Sequence, residues 1–165
     1  MKNEGAPPPT GWKKWMFRAG IYIYRLGLGG LFGKRMLLLN HVGRKSGQPR
    51  QAVLEVITHD EATGTLYVAS GFGPRSDWFQ NLRKRPDVTI QVGRKKMAVT
   101  AVFLSPAESG QQLVAYAHRH PGAAKNLGRF LLGDLVDGTD ENYYKMGHDY
   151  VPVVAFKPRG EQNGA

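Results

Sequence analysis

The segment Gly43-Arg44-Lys45-Ser46-Gly47-Gln48-Pro49-Arg50 carries the densest chemistry in the chain. Two glycines let the backbone turn tightly and present its N–H groups. Arg44, Lys45 and Arg50 add positive charge, and Ser46 adds a hydroxyl donor. Such a turn suits an anion. The same residues also suit a solvated basic hairpin tip. The segment is not a P-loop, because Gly43 and Gly47 lack the four intervening residues and the Lys-Ser/Thr pair that should follow.

A second cluster is Gly71-Phe72-Gly73-Pro74-Arg75-Ser76. It nearly matches the dinucleotide fingerprint, but Ser76 stands where a third Gly belongs and Pro74 lies inside it. No parallel sheet is expected around it, so a Rossmann site is rejected. Ala69, Ser70 and Gly71 are small and lead into a helix start, which lets a flat or anionic ligand approach the backbone. On that helix Phe79 and Leu82 suit a core, whereas Asn81 is polar and less easily explained by packing.

Other chemistries are missing. There is no Cys, which excludes disulfides, thiolate metal sites and thiol catalysis. The five histidines show no metal-ligand spacing. There is no Gly-x-Ser-x-Gly elbow, no Ser-His-Asp order and no evident acid–base carboxylate pair. Chemistry here therefore falls to a cofactor.

Elements must position these residues. Residues 1–10 read as a proline-rich disordered lead without a signal-peptide core. Residues 11–33 read as an amphipathic helix to Leu28, with Thr10 as its cap, and a Gly-rich connection. Trp12, Trp15, Met16, Ala19, Ile23 and Leu26 form one side of that helix; Lys13, Lys14, Arg18 and Arg25 form the other. Its basic, Trp-rich character suits an anionic membrane surface, and its apolar stripe also suits a lid over one end of a barrel. Residues 34–160 form the main domain. Strands are expected at Met36–His41, Arg50–Thr58, Thr65–Ser70, Val88–Val92, Met97–Leu104 and Val151–Lys157, the last at an edge or beginning on Pro152. Helices are expected at Asp77–Arg85, capped by Ser76 or Asp77 and stopped by Pro86, then from a Ser105–Glu108 capping box to about His118, then from Pro121 to Leu132. Residues 134–150 read as a loop. Hairpin-linked strands with small helical insertions imply a mainly β, partly open antiparallel barrel.

Lys plus Arg number 23 against 13 acids, a net charge of +10. No acid stands between Glu4 and Glu55, while nine cations do. The front of the chain should meet an anion. The aromatics follow apolar patterns rather than alternating on a basic strand, which argues against nucleic acid. No apolar run is long enough to cross a bilayer, so a cytoplasmic protein is expected, with membrane association through the first helix as the variation.

Four blocks in this order resemble the deazaflavin (coenzyme F420)-dependent nitroreductase family: 37–47 (LLLNHVGRKSG), 68–73 (VASGFG), 77–82 (DWFQNL) and 86–93 (PDVTIQVG). The resemblance runs from about Trp12 to Phe156. It implies a split β-barrel of flavin-reductase type that binds coenzyme F420, with FMN the lesser alternative. It assigns the cofactor's phosphate and oligoglutamate end to Arg44, Lys45, Ser46, Gly47 and Arg50. Ala52, Val53, Leu54 and Glu55, with Ala69, Ser70 and Gly71, would flank the ring, and the helix bearing Trp78, Asn81 and Leu82 would close around it. The implied reaction is hydride transfer from reduced F420 to an apolar electrophile: a quinone, enone or nitroaromatic. The alternatives are a non-catalytic cofactor-binding barrel and an FMN-dependent oxidoreductase. Well-known members carry tyrosines after the proline that ends the long helix. Here Pro121 is followed by Gly122, Ala123, Ala124 and Lys125. A pocket widened in this way would take a larger acceptor such as a quinone. Tyr116, Tyr143 and Tyr144 are the candidate proton donors, beside solvent. No metal is expected, and an oligomer is compatible with the pattern.

Overall fold

The computed structural model describes residues 33–132 and 137–160, with Ala19, Ile21, Arg25, Leu26 and Gly30 before them. The expected lead, most of the expected first helix and its glycine connection lie outside the described residues. Six antiparallel strands close into a barrel: β1 (Met36–Val42), β2 (Pro49–Asp60), β3 (Thr65–Ala69), β4 (Asp87–Val92), β5 (Lys95–Phe103) and β6 (Val153–Pro158), in the order β1-β2-β3-β6-β5-β4. The helices are α1 (Asp77–Lys84), α2 (Pro106–Arg119), α3 (Pro121–Leu132) and α4 (Asp140–Lys145). The mainly β barrel with inserted helices is therefore as expected, but it is closed rather than partly open. Closure comes from β1, which pairs with β2 on one side and β4 on the other.

Alternation builds the barrel interior. Leu37, Leu39, Leu54, Leu66, Val68, Ile90, Val99 and Phe156 meet there with Phe79 and Leu82 of α1, which plugs one end. Phe79 packs edge-on against Phe103, with ring centroids 4.9 Å apart. Outside the wall, α2 to α4 form a second core around Ile57, Leu113, Tyr116, Ala124, Tyr143, Met146 and Val153. The register of β2 against β3 shifts between Val56 and Thr58. This bulge puts Val56 against the barrel interior, while Ile57 joins the outer core and Thr58 bonds Gln112 of α2.

Three expectations are corrected. Residues 140–150 are helical rather than a loop: α4 runs into a π-helical turn at Met146–Tyr150. Thr139 caps α4, its hydroxyl accepting from the Asn142 N–H. The last strand is central, not an edge, because β6 pairs with both β3 and β5. Pro152 lies just before it, and its carbonyl accepts from the Ser70 N–H at 2.9 Å. Ser76 occupies the cap position of α1, but its side chain does not cap; its hydroxyl oxygen lies 2.9 Å from that of Ser70. The capping box of α2 forms as read, Ser105 with Glu108.

Candidate functional site

The basic turn joins β1 to β2 at the barrel end plugged by α1. It closes on itself: Gly43 N–H donates to the Gln48 carbonyl and Gly47 N–H to the Gly43 carbonyl, each at 2.9 Å. Gly47 has φ +67°, in the left-handed region. A Cβ on Gly43 would lie 2.5 Å from Ser46 Oγ, so the serine hydroxyl occupies the space that glycine leaves. Ser46 Oγ also accepts from the Gln48 N–H at 3.2 Å.

The cations divide into two kinds. Arg44 is tied down. Its Nη1 donates to Asp77 Oδ1 at 2.9 Å and to Asn81 Oδ1 at 3.1 Å, and its backbone N–H donates to the same Asn81 oxygen at 3.0 Å. Its carbonyl accepts from Lys84 Nζ at 2.9 Å. Lys45 and Arg50 are exposed and make no salt bridge among the described residues. An anion at this turn would thus meet two cations and a hydroxyl that already stand in solvent. That donor set, around a cradle that a side chain at position 43 would fill, fits the phosphate and carboxylates of an anionic cofactor.

Behind the turn sits His41, 7% exposed, which the sequence reading passed over. It shares the interior parity of Leu37 and Leu39, and only the tertiary fold puts it 3.0 Å from Asn81 Nδ2. Burial, and then the nearby Arg50 charge, push its pKa down to about 4 against a raising influence from Asp77. The ring is neutral at physiological pH.

The remaining assigned residues scatter. Leu54 and Leu82 are in the barrel core. Ala52 and Trp78 are partly buried against that core. Val53 is half-buried on the outward parity of β2. Ser70 is buried, and its hydroxyl donates to the Gly73 carbonyl at 2.7 Å, holding the loop before α1. Ala69 packs against the outer core and Gly71 is half-buried. The turn residues Arg44 to Gly47 and Arg50 meet Asn81 at one barrel end through Arg44, and Ser70 joins the start of the same helix through Ser76.

Of the tyrosines, Tyr116 reaches the assigned residue Glu55 rather than the turn. Tyr116 is buried in the outer core and donates its hydroxyl to Glu55 Oε1 at 2.8 Å. Burial, with the Glu55 carboxylate, raises its pKa well above the usual range. Arg50 and Glu55 are five residues apart on β2, about 17 Å along the strand. Tyr143 is buried and its pKa is raised by desolvation. Tyr144 stacks on His148 and lines an open groove of about 510 Å³ with Gln111, Val114, Ala115, His118 and Arg119. Of the small residues after Pro121, Gly122 is exposed and Ala124 is fully buried in the outer core.

Comparison with known proteins supplies the chemistry. A relative, an F420H(2)-dependent quinone reductase of Mycobacterium tuberculosis strain H37Rv, is 38% identical over 108 aligned positions, taking in 56% of this chain and 71% of that one. A protein of the same description from strain CDC 1551 matches equally. Among solved structures, an F420-H2 dependent reductase, FDR-A, shares the fold with TM-score 0.50 and 20% identity, over 76% of this chain and 96% of that one. An Agrobacterium tumefaciens protein of unknown function shares it with TM-score 0.53 and 17% identity, over 94% and 60%. The broader nitroreductase resemblance read from the sequence is thereby narrowed, for the model of one family covers residues 18–125. Its match takes in the turn, its supporting helix and the Tyr116 region, and the chain belongs to the F420H(2)-dependent quinone reductase family, enzymes that use coenzyme F420 for oxidoreduction.

Proposed function

We propose that this protein transfers reducing equivalents from reduced coenzyme F420 to a quinone, with the anionic end of the coenzyme held at the Gly43–Arg50 turn. The observation that carries the reading is the pair of exposed cations, Lys45 and Arg50, with no salt bridge among the described residues, beside a hydroxyl on a glycine-locked turn. When bound, the coenzyme supplies the hydride. Lys45, Ser46 and Arg50 bind its anionic tail, each charge-assisted contact worth about 1.5–3 kcal/mol. Arg44 shapes the turn, because its guanidinium is already engaged by Asp77 and Asn81. The outward residues of β2, Val53 and Glu55, and the Ala69–Gly71 segment offer a wall for the ring. Tyr116 holds Glu55 and keeps its own proton, since burial and that carboxylate both oppose ionisation. Proton delivery to the reduced quinone is assigned to solvent. A quinone is preferred to an enone or nitroaromatic on the family's description alone.

Fluorescence titration of the purified protein with coenzyme F420 tests the assignment. Lys45→Glu should weaken binding at least 10-fold, on the order of 1.4 kcal/mol. It should also flatten the dependence of affinity on salt. An unchanged affinity at every salt concentration would remove the turn from the site.

A further inference from the structure

The exposed cations rest on a buried polar support. Asn81 is 4% exposed on α1, and His41 is 7% exposed on β1. The Asn81 carboxamide oxygen accepts both the Arg44 backbone N–H at 3.0 Å and Arg44 Nη1 at 3.1 Å. Its nitrogen must then face His41 Nδ1 at 3.0 Å as the donor. This fixes His41 as the tautomer with a lone pair on Nδ1 and its proton on Nε2. Lys84 Nζ holds the other side of the same residue through the Arg44 carbonyl. Arg44 cannot rotate without breaking a bond to a buried partner, which costs more than an exposed bond would. Lys45 and Ser46 follow it directly in the chain. The charged groups facing His41 are Arg50 from β2 and Asp77 from α1, with Arg44 bonded to Asn81 between them.

We infer that Asn81, backed by His41, is a positioning residue for anion binding: it sets Arg44 and thereby the direction in which Lys45 and Ser46 present their donors. Asn81 does not touch the anion, since its oxygen is committed to Arg44 and its nitrogen faces His41. The inference rests on the reading that the turn holds the coenzyme's anionic tail. It departs from the sequence-level expectation that Asn81 itself lines the cofactor.

A double-mutant cycle on coenzyme F420 affinity, read by fluorescence, separates the two. Lys45→Ala and Asn81→Ala should each weaken binding about 10-fold. The double variant should be little worse than either, because a misdirected Lys45 has nothing left to lose. Additivity within about 2-fold would overturn the positioning role while leaving the turn as the site. No effect of Lys45→Ala alone would overturn the site reading itself. A second arm does not depend on Asn81→Ala folding. In Asn81→Asp the carboxylate keeps both Arg44 bonds but needs a donor from His41, so the imidazole proton should move from Nε2 to Nδ1. Long-range proton–nitrogen NMR of the histidines should show that move. A His41 ring unaltered in Asn81→Asp would show that the pair is not coupled and would overturn the inference.

Discussion

Tyr116 and His41 are both buried ionisable groups, and burial drives them in opposite directions on the pH scale. The Tyr116 hydroxyl ties α2 to β2 through Glu55. Tyr116→Phe leaves that carboxylate without its donor, and stability should fall by about 1.5–3 kcal/mol in urea unfolding. Turnover should change far less, because the hydroxyl is not assigned as the acid. A large loss of kcat in a stably folded variant would restore Tyr116 as a proton donor. His41 behaves otherwise. Its ordinary pKa of 6.5 is lowered to about 4 in the folded protein. Between those values the unfolded chain binds a proton that the native state refuses, so stability must fall as pH drops through that window. Solvent near the barrel rim screens the effect to on the order of 2 kcal/mol. Urea midpoints followed with pH should show this limb in the native protein and a shallower one in His41→Gln. Identical acid limbs would mean that His41 is not the titrating group.

At the scale of elements, two glycines separate function from folding. Gly147 lies in the π-helical turn after α4, where an added Cβ would sit 2.4 Å from the Ser109 carbonyl oxygen of α2. Backbone cannot yield as a side chain can. Gly147→Ala should therefore cost about 1–3 kcal/mol or more and separate α4 from α2. Gly43→Ala clashes with the Ser46 hydroxyl, at 2.5 Å, while the Gln48 carbonyl and Arg50 Nε stand at ordinary contact distances of 3.6 and 3.8 Å. The serine can rotate away, so the thermal midpoint should move little while F420 affinity drops. Paired melts and titrations of the two variants check this, and a Gly43→Ala protein with native affinity would show that the Ser46 position is irrelevant to binding. The segment 140–150 reads as a loop from sequence, yet it is helical. Its helicity depends on Tyr143 and Met146 finding the outer core, a contact made by residues about thirty positions away on α2.

For the whole molecule, charge is the determining quantity. The net charge is +10, and Lys45 and Arg50, without a salt bridge among the described residues, would meet any phosphate held at the turn. F420 carries further carboxylates on its tail, as the family resemblance implies, whereas FMN ends at its phosphate. Additional ion pairs should make F420 bind at least about 10-fold more tightly and with a steeper salt dependence. Equilibrium dialysis against both cofactors at several salt concentrations checks this. Equal or tighter FMN binding would favour a general flavin barrel. Among the described residues, no helix is long and apolar enough to cross a membrane.

Local chemistry was legible in the chain because it is local. Turns at Gly43–Arg50, the α2 capping box and the strand alternation depend on residues within a few positions of one another. The anionic partner could be read in the same way, from cations that have no acid nearby in sequence. Which cations remain available could not. Arg44 and Lys45 are neighbours of like type, yet Asp77 and Asn81, more than thirty residues away, engage one and leave the other in solvent. Likewise Leu82 and Asn81 adjoin on one helix, but one enters the core and the other supports the turn. Barrel closure rests on β1 pairing with β4, fifty residues distant, which no pattern within either strand encodes. Spacing along the chain determined which groups exist and how the backbone bends around them; long-range pairing decided their partners, and with them their charge, direction and exposure.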